Sequence, residues 1–203
     1  MLRIYLAGPE VFLANPRRIE ARKKAICAAH GFDGQFPLDA ELDVSGLQPA
    51  EAGFRIYQAN KALMASCALA IANMTPFRGP SMDVGTAFEM GFFMRALGRP
   101  VLGYTNVAAG LLERTKAFFG KGKVMRKGRA FLDPGGMTIE DFAMADNLML
   151  EGAVLESSLA IVRQAVPAKE RYTNLDAFTA CVTLAAERFG GSAGRRYLRR
   201  ARA

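Results

Sequence analysis

The sequence predicts an α/β protein in which a parallel sheet of about five strands is flanked by helices. Two observations support this fold class. Short apolar runs alternate with longer segments of helical periodicity along most of the chain, as in repeated strand–helix units. The 203 residues, 51% of them hydrophobic, are enough for one domain with a sizeable core. Parallel strands are favoured because each intervening helix returns the chain to the same edge of the sheet.

The first predicted unit runs from the N-terminus to residue 38. Leu2–Ala7 is an apolar run closed by Gly8 and Pro9, and it predicts a first strand. Residues 15–29 have helical spacing and begin with Asn followed by Pro, a favourable N-cap and first-turn pair. After a glycine, residues 32–38 predict a second, shorter strand.

A second set of elements surrounds a polar loop in the middle of the chain. Residues 39–53 lack periodicity and predict a long loop, a kind of segment that is often functional in compact domains. Residues 54–66 predict a helix, residues 68–73 a third strand, and residues 83–97 a helix. Residues 101–104 predict the fourth strand, because Gly98 to Pro100 ends the helix before it.

The last third of the chain is harder to assign. Residues 120–136 are rich in glycine and lysine and predict a surface excursion, whereas residues 141–166 and 175–189 have helical patterning. We therefore expect one domain over residues 1–190. Residues 191–203 predict a flexible, arginine-rich C-terminal tail.

The net charge of +8 is concentrated in that tail. The last nine residues contain five arginines: Arg195, Arg196, Arg199, Arg200 and Arg202. The rest of the protein therefore carries a net charge of only +3. A short basic end can touch nucleic acid, but no aromatic platform or reading motif accompanies it. We therefore expect a solvated tail and no nucleic-acid partner.

Several classes of site and location are not supported by the sequence. The three cysteines are far apart and predict buried, reduced side chains in an intracellular protein, and His30 is the only histidine. We expect no metal and no cofactor, because metal-ligand spacing, a P-loop and a dinucleotide fingerprint are all missing. No apolar run reaches the length of a membrane span, so we expect a cytoplasmic protein without membrane contact.

Two carboxylates mark the most informative part of the chain. Asp83 opens the helix that follows the third strand and its loop, and Glu89 lies six residues further on, between Phe88 and Met90. Ligands of open parallel sheets bind outside the carboxyl ends of the strands, in the loops that lead into helices. A carboxylate at that place can attack or stabilise an electron-poor carbon. Because six helical positions separate the two side chains by about 240°, they share a pocket only if Asp83 lies in the first turn.

Three motifs resemble the nucleoside 2-deoxyribosyltransferase family. They are I-Y-L-A-G-P-E-V-F at the start, A-N-M-T-P-F-R-G-P-S-M-D-V-G-T-A-F-E-M-G in the centre and D-N-L-M-L-E-G-A near residue 150. The resemblance covers roughly residues 2–106 and 137–155. It implies a flavodoxin-like, Rossmann-like fold and an assembly of identical subunits. It also implies transfer of a deoxyribosyl group between nucleobases, without a cofactor.

The resemblance also implies roles for individual residues. Glu89 matches the nucleophile, Asp83 the acid that holds the sugar hydroxyls, and Tyr5 the tyrosine that hydrogen-bonds the nucleophile. Gly8 and Phe12 match positions that approach the base. Asn147 and Met149 match residues that family members lend to the neighbouring subunit's pocket. The same residues allow plainer interpretations: Asp83 as a first-turn carboxylate, Glu89 on a solvated face, Tyr5 in the core and Asn147 as a helix cap.

One position departs from the family pattern. Many members place an acidic group at the end of the helix before the third strand, where it helps to protonate the leaving base. Asn60 is the nearest equivalent here, and an amide binds a base edge but cannot deliver a proton. We therefore expect Asn60 and Asp39 to bind substrate. The proton donor stays unassigned: Asp39, Glu41 or water takes that part, or the base preference differs. Hydrolysis of deoxynucleosides or nucleoside 5′-monophosphates, and a non-catalytic nucleotide-sensing or nucleic-acid-binding module, are the alternative functions.

Overall fold

The computed structural model describes residues 1–39, 42–157 and 159–191. Within these ranges there are eight strands: β1 (Leu2–Ala7), β2 (Phe32–Gln35), β3 (Leu69–Asn73), β4 (Val101–Thr105), β5 (Met125–Lys127), β6 (Ala130–Leu132), β7 (Thr138–Ile139) and β8 (Val162–Arg163). The α-helices in the same ranges are α1 (Pro16–Ala29), α2 (Pro49–Ser66), α3 (Val84–Gly91), α4 (Leu111–Phe119), α5 (Leu148–Glu156) and α6 (Asp176–Phe189).

Five of the strands form one parallel sheet in the order β2-β1-β3-β4-β8. This is the doubly wound order of flavodoxin-like proteins, so the predicted α/β fold with about five parallel strands is confirmed. The chain leaves β1 towards one edge of the sheet, and after β3 it continues towards the other edge. The topological switch point therefore lies between β1 and β3, where such folds bind their ligands.

The sheet has an apolar layer on each face, because successive side chains of a strand point to opposite sides. Ile4 and Leu6 of β1 pack into the layer that contains Phe178 of α6. Tyr5 and Ala7 lie in the opposite layer, among side chains from α2, α3 and α5. The three cysteines, Cys27, Cys67 and Cys181, are buried in these layers.

Two helices begin where the sequence predicts, because capping side chains define their first turns. The Asn15 side chain accepts a hydrogen bond from the Arg18 amide at 3.2 Å, at the start of α1. Asp83 caps α3 in the same way, and it accepts from the Thr86 amide at 2.8 Å. The predicted helix over residues 83–97 is interrupted, because a wider π-helical turn, Phe92–Ala96, follows α3.

The structure corrects several predicted boundaries. Helix α2 begins at Pro49, inside the predicted loop. The prediction missed this start because residues 49–53 are mostly exposed and carry no apolar stripe. The long helix predicted over residues 141–166 is wrong: α5 covers only its centre, and β8 lies in its last part. An apolar run such as Leu159 to Val162 does not distinguish a strand from a helix. Helix α4 was not predicted.

The predicted surface excursion, residues 120–136, contains β5 and β6, which form a small antiparallel sheet with β7 just beyond it, in the order β5-β6-β7. Lys127 pairs with Ala130 around a two-residue turn in which Gly128 has a φ of 61°. Part of the predicted tail, residues 192–203 with its five arginines, lies outside the described residues, as does Glu41. Among the described residues, no helix combines the length and apolar character that a membrane span requires.

Candidate active site

The candidate site lies at the switch point between β1 and β3. Tyr5 belongs to β1, and Gly8 follows that strand directly. The segment from Asn73 to Asp83 connects β3 to α3, which carries Glu89. The fold therefore brings the first and the central motif to the same edge of the sheet, as expected for a ligand site of this topology.

Glu89 is joined to β1 by a short hydrogen bond. The Tyr5 hydroxyl donates to Glu89 Oε1 at 2.5 Å, across a sequence separation of 84 residues. The Tyr5 side chain is fully buried, and its ring lies 5.7 Å from that of Phe93. The bond fixes the direction in which the Glu89 carboxylate points. The tyrosine is thus both a core residue and a partner of the predicted nucleophile.

The environment of Glu89 raises its pKa from 4.5 to about 7. Burial is the largest cause, because the charged carboxylate loses hydration. The hydrogen bond from Tyr5 lowers the pKa, while the negative charges of Asp83 and Glu10 raise it. Burial, followed by the charge of Glu89, also raises the pKa of Tyr5, which stays protonated and keeps donating. A carboxylate that is only partly ionised near neutral pH and poorly hydrated is suited to covalent chemistry.

Asp83 lies at the first turn of α3, as a shared pocket with Glu89 requires. One carboxylate oxygen, Oδ2, accepts from the Thr86 amide at 2.8 Å and from the Thr86 hydroxyl at 3.0 Å. The charge of Asp83 acts on Glu89, as its effect on the pKa of Glu89 shows. Asp83 is therefore a helix cap, and its second oxygen has no hydrogen bond to the described residues.

An ion pair that was not predicted from the sequence holds the loop before Asp83. Asp146 is fully buried, and its carboxylate binds the Arg114 guanidinium at 3.0 Å. It also accepts from the Ser81 hydroxyl and from the Met82 amide, the latter at 3.0 Å. Asp146 is the first residue of the motif D-N-L-M-L-E-G-A. The sequence signal was the aspartate in that motif, but nothing linked it to Arg114.

Asn147 caps α5, as its plainer interpretation predicted. Its side-chain oxygen accepts from the Met149 amide at 3.0 Å, and its side-chain nitrogen donates to Glu140 at 2.5 Å. Glu140 also accepts from the Leu148 amide at 2.9 Å. Met149 is 72% exposed. The Met149 side chain is thus accessible to solvent.

A second buried cluster lies beneath the end of β1. Glu10 is fully buried, and its Oε1 atom accepts from Lys23, from Asn73 at 2.9 Å and from Tyr104 at 3.0 Å. A Cβ atom on Gly8 would lie 2.0 Å from Glu10 Oε2. The absence of a side chain at Gly8 therefore makes room for the Glu10 carboxylate. No local pattern in the sequence indicated this role.

Phe12 belongs to an aromatic stack at the same edge of the sheet. Its ring is 58% exposed and lies 5.4 Å from that of Phe77, nearly parallel to it. The Arg78 guanidinium lies 5.1 Å from the Phe12 ring and 4.6 Å from the Phe77 ring. Arg78 has a φ of 56°, an uncommon conformation for a residue other than glycine. The loop thus carries an exposed, flat surface beside the site.

Asn60 lies at an apolar cavity of about 320 Å³ between α2 and the end of β2. The cavity is lined by Arg17, Pro37, Leu38, Leu42, Val44, Ile56, Ala59 and Asn60. Among the residues that the structure describes, the buried Asn60 side-chain oxygen has no hydrogen-bond partner. A buried acceptor in an apolar cavity favours a ligand that brings a donor.

Asp39 points into protein contacts instead. Its carboxylate binds Lys24 and accepts from the Phe36 amide at 2.7 Å. Burial would raise its pKa, but these hydrogen bonds lower it below the usual value. Asp39 thereby fixes the turn that contains Pro37 and Leu38, two residues of the cavity wall. In the described ranges, no three His, Cys, Asp or Glu residues are grouped as a metal site would require.

Comparisons with known proteins identify the family to which the chain belongs. The family model described as nucleoside 2-deoxyribosyltransferase matches residues 4–149. An uncharacterized protein of Schizosaccharomyces pombe is 31% identical over 161 residues, which are 74% of this chain and 76% of that protein. The structure of a 2-desoxiribosyltransferase from Leishmania mexicana matches with a TM-score of 0.64 at 22% identity. The match covers 92% of this chain and 98% of that one. The chain belongs to the nucleoside 2-deoxyribosyltransferase family.

Proposed function

We propose that the protein transfers a 2-deoxyribosyl group between nucleobases, purine or pyrimidine, through a covalent intermediate on Glu89. In the first step, a Glu89 carboxylate oxygen bonds to C1′ of a deoxynucleoside. The C1′–N bond breaks, and the base leaves with the electron pair and takes up a proton. In the second step, a nitrogen of another base attacks C1′, the ester bond to Glu89 breaks, and the acceptor nitrogen loses a proton. Two inversions give net retention.

The hydrogen bond between Tyr5 and Glu89 is the observation that carries this proposal. A carboxylate held at 2.5 Å by a buried phenol is fixed in direction, which a displacement at carbon requires. Glu89 is half-buried, so its carboxylate is less hydrated than a surface group, and its negative charge stabilises the oxocarbenium-like transition state at C1′. A glutamate that served only as a solvated surface group would need neither the burial nor this partner.

Asp83 is proposed to bind the sugar hydroxyls. Thr86 occupies only its Oδ2 atom, so Oδ1 is available to accept from a hydroxyl group. Its position as the cap of α3 keeps it at the first turn, on the side of the loop. The same charge that raises the pKa of Glu89 also adds to the negative potential that stabilises a cationic sugar.

The nucleobase is proposed to lie between Gly8, Phe12 and the cavity at Asn60. The exposed ring of Phe12 offers a stacking surface, and the unpartnered oxygen of Asn60 accepts from a base N–H group. Asp39 is proposed to hold the wall of this cavity in place without contacting the base, since its carboxylate already binds Lys24 and the Phe36 amide. Its lowered pKa makes it a poor proton donor for the leaving base.

A second copy of the chain is proposed to complete the site. Phe54, Tyr57 and Phe88 form a chain of ring contacts at 6.0 and 6.1 Å on the outer surface of α2 and α3. Val84 on the same helix as Phe88 is 85% exposed, so this apolar face favours a partner over water. Asn147 and the exposed Met149 are proposed to reach the neighbouring subunit's sugar pocket. Mixing Glu89→Gln with Asn147→Ala subunits should then restore activity that neither variant has alone.

One assay tests the proposed reaction. The protein is incubated with deoxyinosine and adenine, with deoxyinosine alone, and with a deoxynucleoside 5′-monophosphate, and the products are separated by chromatography. New deoxyadenosine supports transfer, whereas hypoxanthine released without an acceptor would indicate a hydrolase. If base is released only from the monophosphate, the protein is a nucleotide hydrolase and deoxynucleosides are not its substrates. If no product forms in any of the three incubations, the remaining alternative is a non-catalytic binding protein. Glu89→Ala should fold and lose essentially all turnover.

A further inference from the structure

A buried ion pair joins three segments around the candidate site. Arg114 of α4 and Asp146 are 7% and 0% exposed, and the guanidinium Nη2 atom lies 3.0 Å from Asp146 Oδ2. The other guanidinium nitrogens are also used. Nε donates to the Pro80 carbonyl at 2.7 Å, and Nη1 donates to the Ala109 carbonyl at 3.1 Å. One arginine therefore fixes the orientation of two loops and one carboxylate.

The Asp146 carboxylate is saturated with donors. Its Oδ1 atom accepts from the Ser81 hydroxyl and from the Asn147 amide, the latter at 2.9 Å. Its Oδ2 atom accepts from the Met82 amide at 3.0 Å and from Arg114. Four donors fill the lone-pair sites of the two oxygens. An amide in place of the carboxylate would point its NH₂ group at two of these donors.

This arrangement fixes the residues that flank the chemistry. Met82 directly precedes Asp83, and Asp146 directly precedes Asn147. Stability alone does not explain a buried ion pair, because well-packed apolar residues are often equally stabilising in its place. A planar arginine with three fixed acceptors does, however, define a backbone position more closely than apolar packing does.

We propose that Arg114 and Asp146 are positioning residues for the transfer reaction, which hold Asp83 where it meets the sugar hydroxyls. This inference rests on the proposed function. Its consequence is a link between Arg114 and substrate selection: the ion pair acts on the part of the substrate that Asp83 binds, not on the base and not on Glu89. A misplaced Asp83 would discriminate less well between sugars with and without a 3′-hydroxyl group.

The test is a double-mutant cycle read with two substrates. Arg114→Lys keeps the charge opposite Asp146 but loses the fork to Pro80 and Ala109. It should lower kcat/KM for a 2′-deoxynucleoside by about 10- to 100-fold, the effect of a small misplacement in an active site. A 2′,3′-dideoxynucleoside, which lacks the 3′-hydroxyl, should be affected far less. In an Asp83→Asn background, which keeps a capping side chain, Arg114→Lys should have little further effect.

A matched control separates positioning from stability. Arg3 is also an arginine with several acceptors: it donates to the Ser66 hydroxyl at 2.7 Å and to the Gln35 side chain. It lies near the start of β1, at the opposite end of that strand from Gly8. Arg3→Lys should leave the ratio of the two substrates unchanged. Equal losses on both substrates in Arg114→Lys, or losses that add to those of Asp83→Asn, would overturn the proposal.

A readout without substrate keeps this inference distinct from the proposed reaction. Hydrogen exchange at the Met82 amide should become faster in Arg114→Lys, while the amides of β1 keep their protection. Unchanged exchange at Met82 would overturn the positioning role even if the wild type is active. A wild type that turns over neither nucleoside would refute the reaction, and the exchange result would still decide whether Arg114 holds the loop.

Discussion

Replacing Tyr5 with phenylalanine removes one hydroxyl group and isolates the contribution of its hydrogen bond. The phenol donates to Glu89 at 2.5 Å and lowers the pKa of that carboxyl, against the effect of burial. Because Glu89, as the proposed nucleophile, must be ionised to attack, the variant should have a smaller fraction of active enzyme at neutral pH. The ring remains and keeps its contact with Phe93, so the packing changes little.

The size of the effect follows from the energy of the bond. A hydrogen bond to a charged group contributes about 1.5–3 kcal/mol, which corresponds to about 1–2 pH units. From a pKa of about 7, the Glu89 carboxyl would move to about 8–9. At pH 7 the ionised fraction would fall from about one half to between about 1 and 10 per cent, a loss of roughly 5- to 50-fold in rate.

The assay is the pH dependence of kcat/KM for base exchange, which reports the pKa values of the free enzyme. The wild type should gain activity as the pH rises through about 7. Tyr5→Phe should reach its plateau at higher pH and recover most of its activity near pH 9. The acidic limb is the part of the profile in which kcat/KM rises with pH. If Tyr5→Phe lowers kcat/KM by the same factor at every pH and the acidic limb does not shift, the assigned role of Tyr5 is refuted.

Tyr104→Phe is the matched control. Tyr104 is also a fully buried tyrosine, but its hydroxyl donates to Glu10 at 3.0 Å and has no hydrogen bond to Glu89. Its loss should reduce the free energy of unfolding without moving the acidic limb away from that of the wild type.

Three further predictions concern other positions of the site. Glu89→Gln should raise the free energy of unfolding at pH 8 by up to about 3 kcal/mol, since the pKa is raised from 4.5 to about 7 and folding disfavours the ionised form. In urea titrations, this gain in the free energy of unfolding should shrink as the pH falls through 7 and vanish below about 4.5. A gain of the same size at pH 4 would contradict the raised pKa of Glu89. Gly8→Ala should destabilise by about 1–3 kcal/mol, because its Cβ would lie 2.0 Å from Glu10 Oε2. Gly53→Ala, with open space in α2, should instead stabilise by about 0.5–1 kcal/mol, and similar thermal shifts for both would argue against crowding at Gly8. Asn60→Asp should raise kcat for the slowest leaving base by about 10-fold or more at acidic pH, because the new carboxyl acts as a general acid. Asn60→Ala should not raise kcat. Equal rates in the two variants would show that residue 60 does not donate a proton to the leaving base.

The sequence predicted the central sheet well because its signals are local. The strands β1, β3 and β4 are short apolar runs between glycine, proline or polar residues, and the caps Asn15 and Asp83 define the following helices. The prediction failed where tertiary contacts decide. Strand β8 has two residues and exists through its pairing with β4.

The candidate site was predicted through its motifs, and its supporting contacts were not. Tyr5 and Glu89 are 84 positions apart, and only the resemblance linked them before their hydrogen bond was seen. Arg114 carries no local signal, because a single arginine in an amphipathic helix usually lies on the solvated face. Glu10 stood inside the first motif, but its burial depends on Lys23, Asn73 and Tyr104 from three other segments.

A trapped intermediate would show whether Glu89 forms the proposed covalent bond to C1′ of the sugar. A 2′-fluoro-arabinosyl nucleoside should form an ester that is hydrolysed slowly, because the fluorine destabilises the cationic transition state of the second step. Mass spectrometry of the digested protein should find the added sugar on the peptide that contains Glu89, and Glu89→Gln should remain unmodified. A sugar attached to another residue, or release of base with no covalent adduct, would contradict the account.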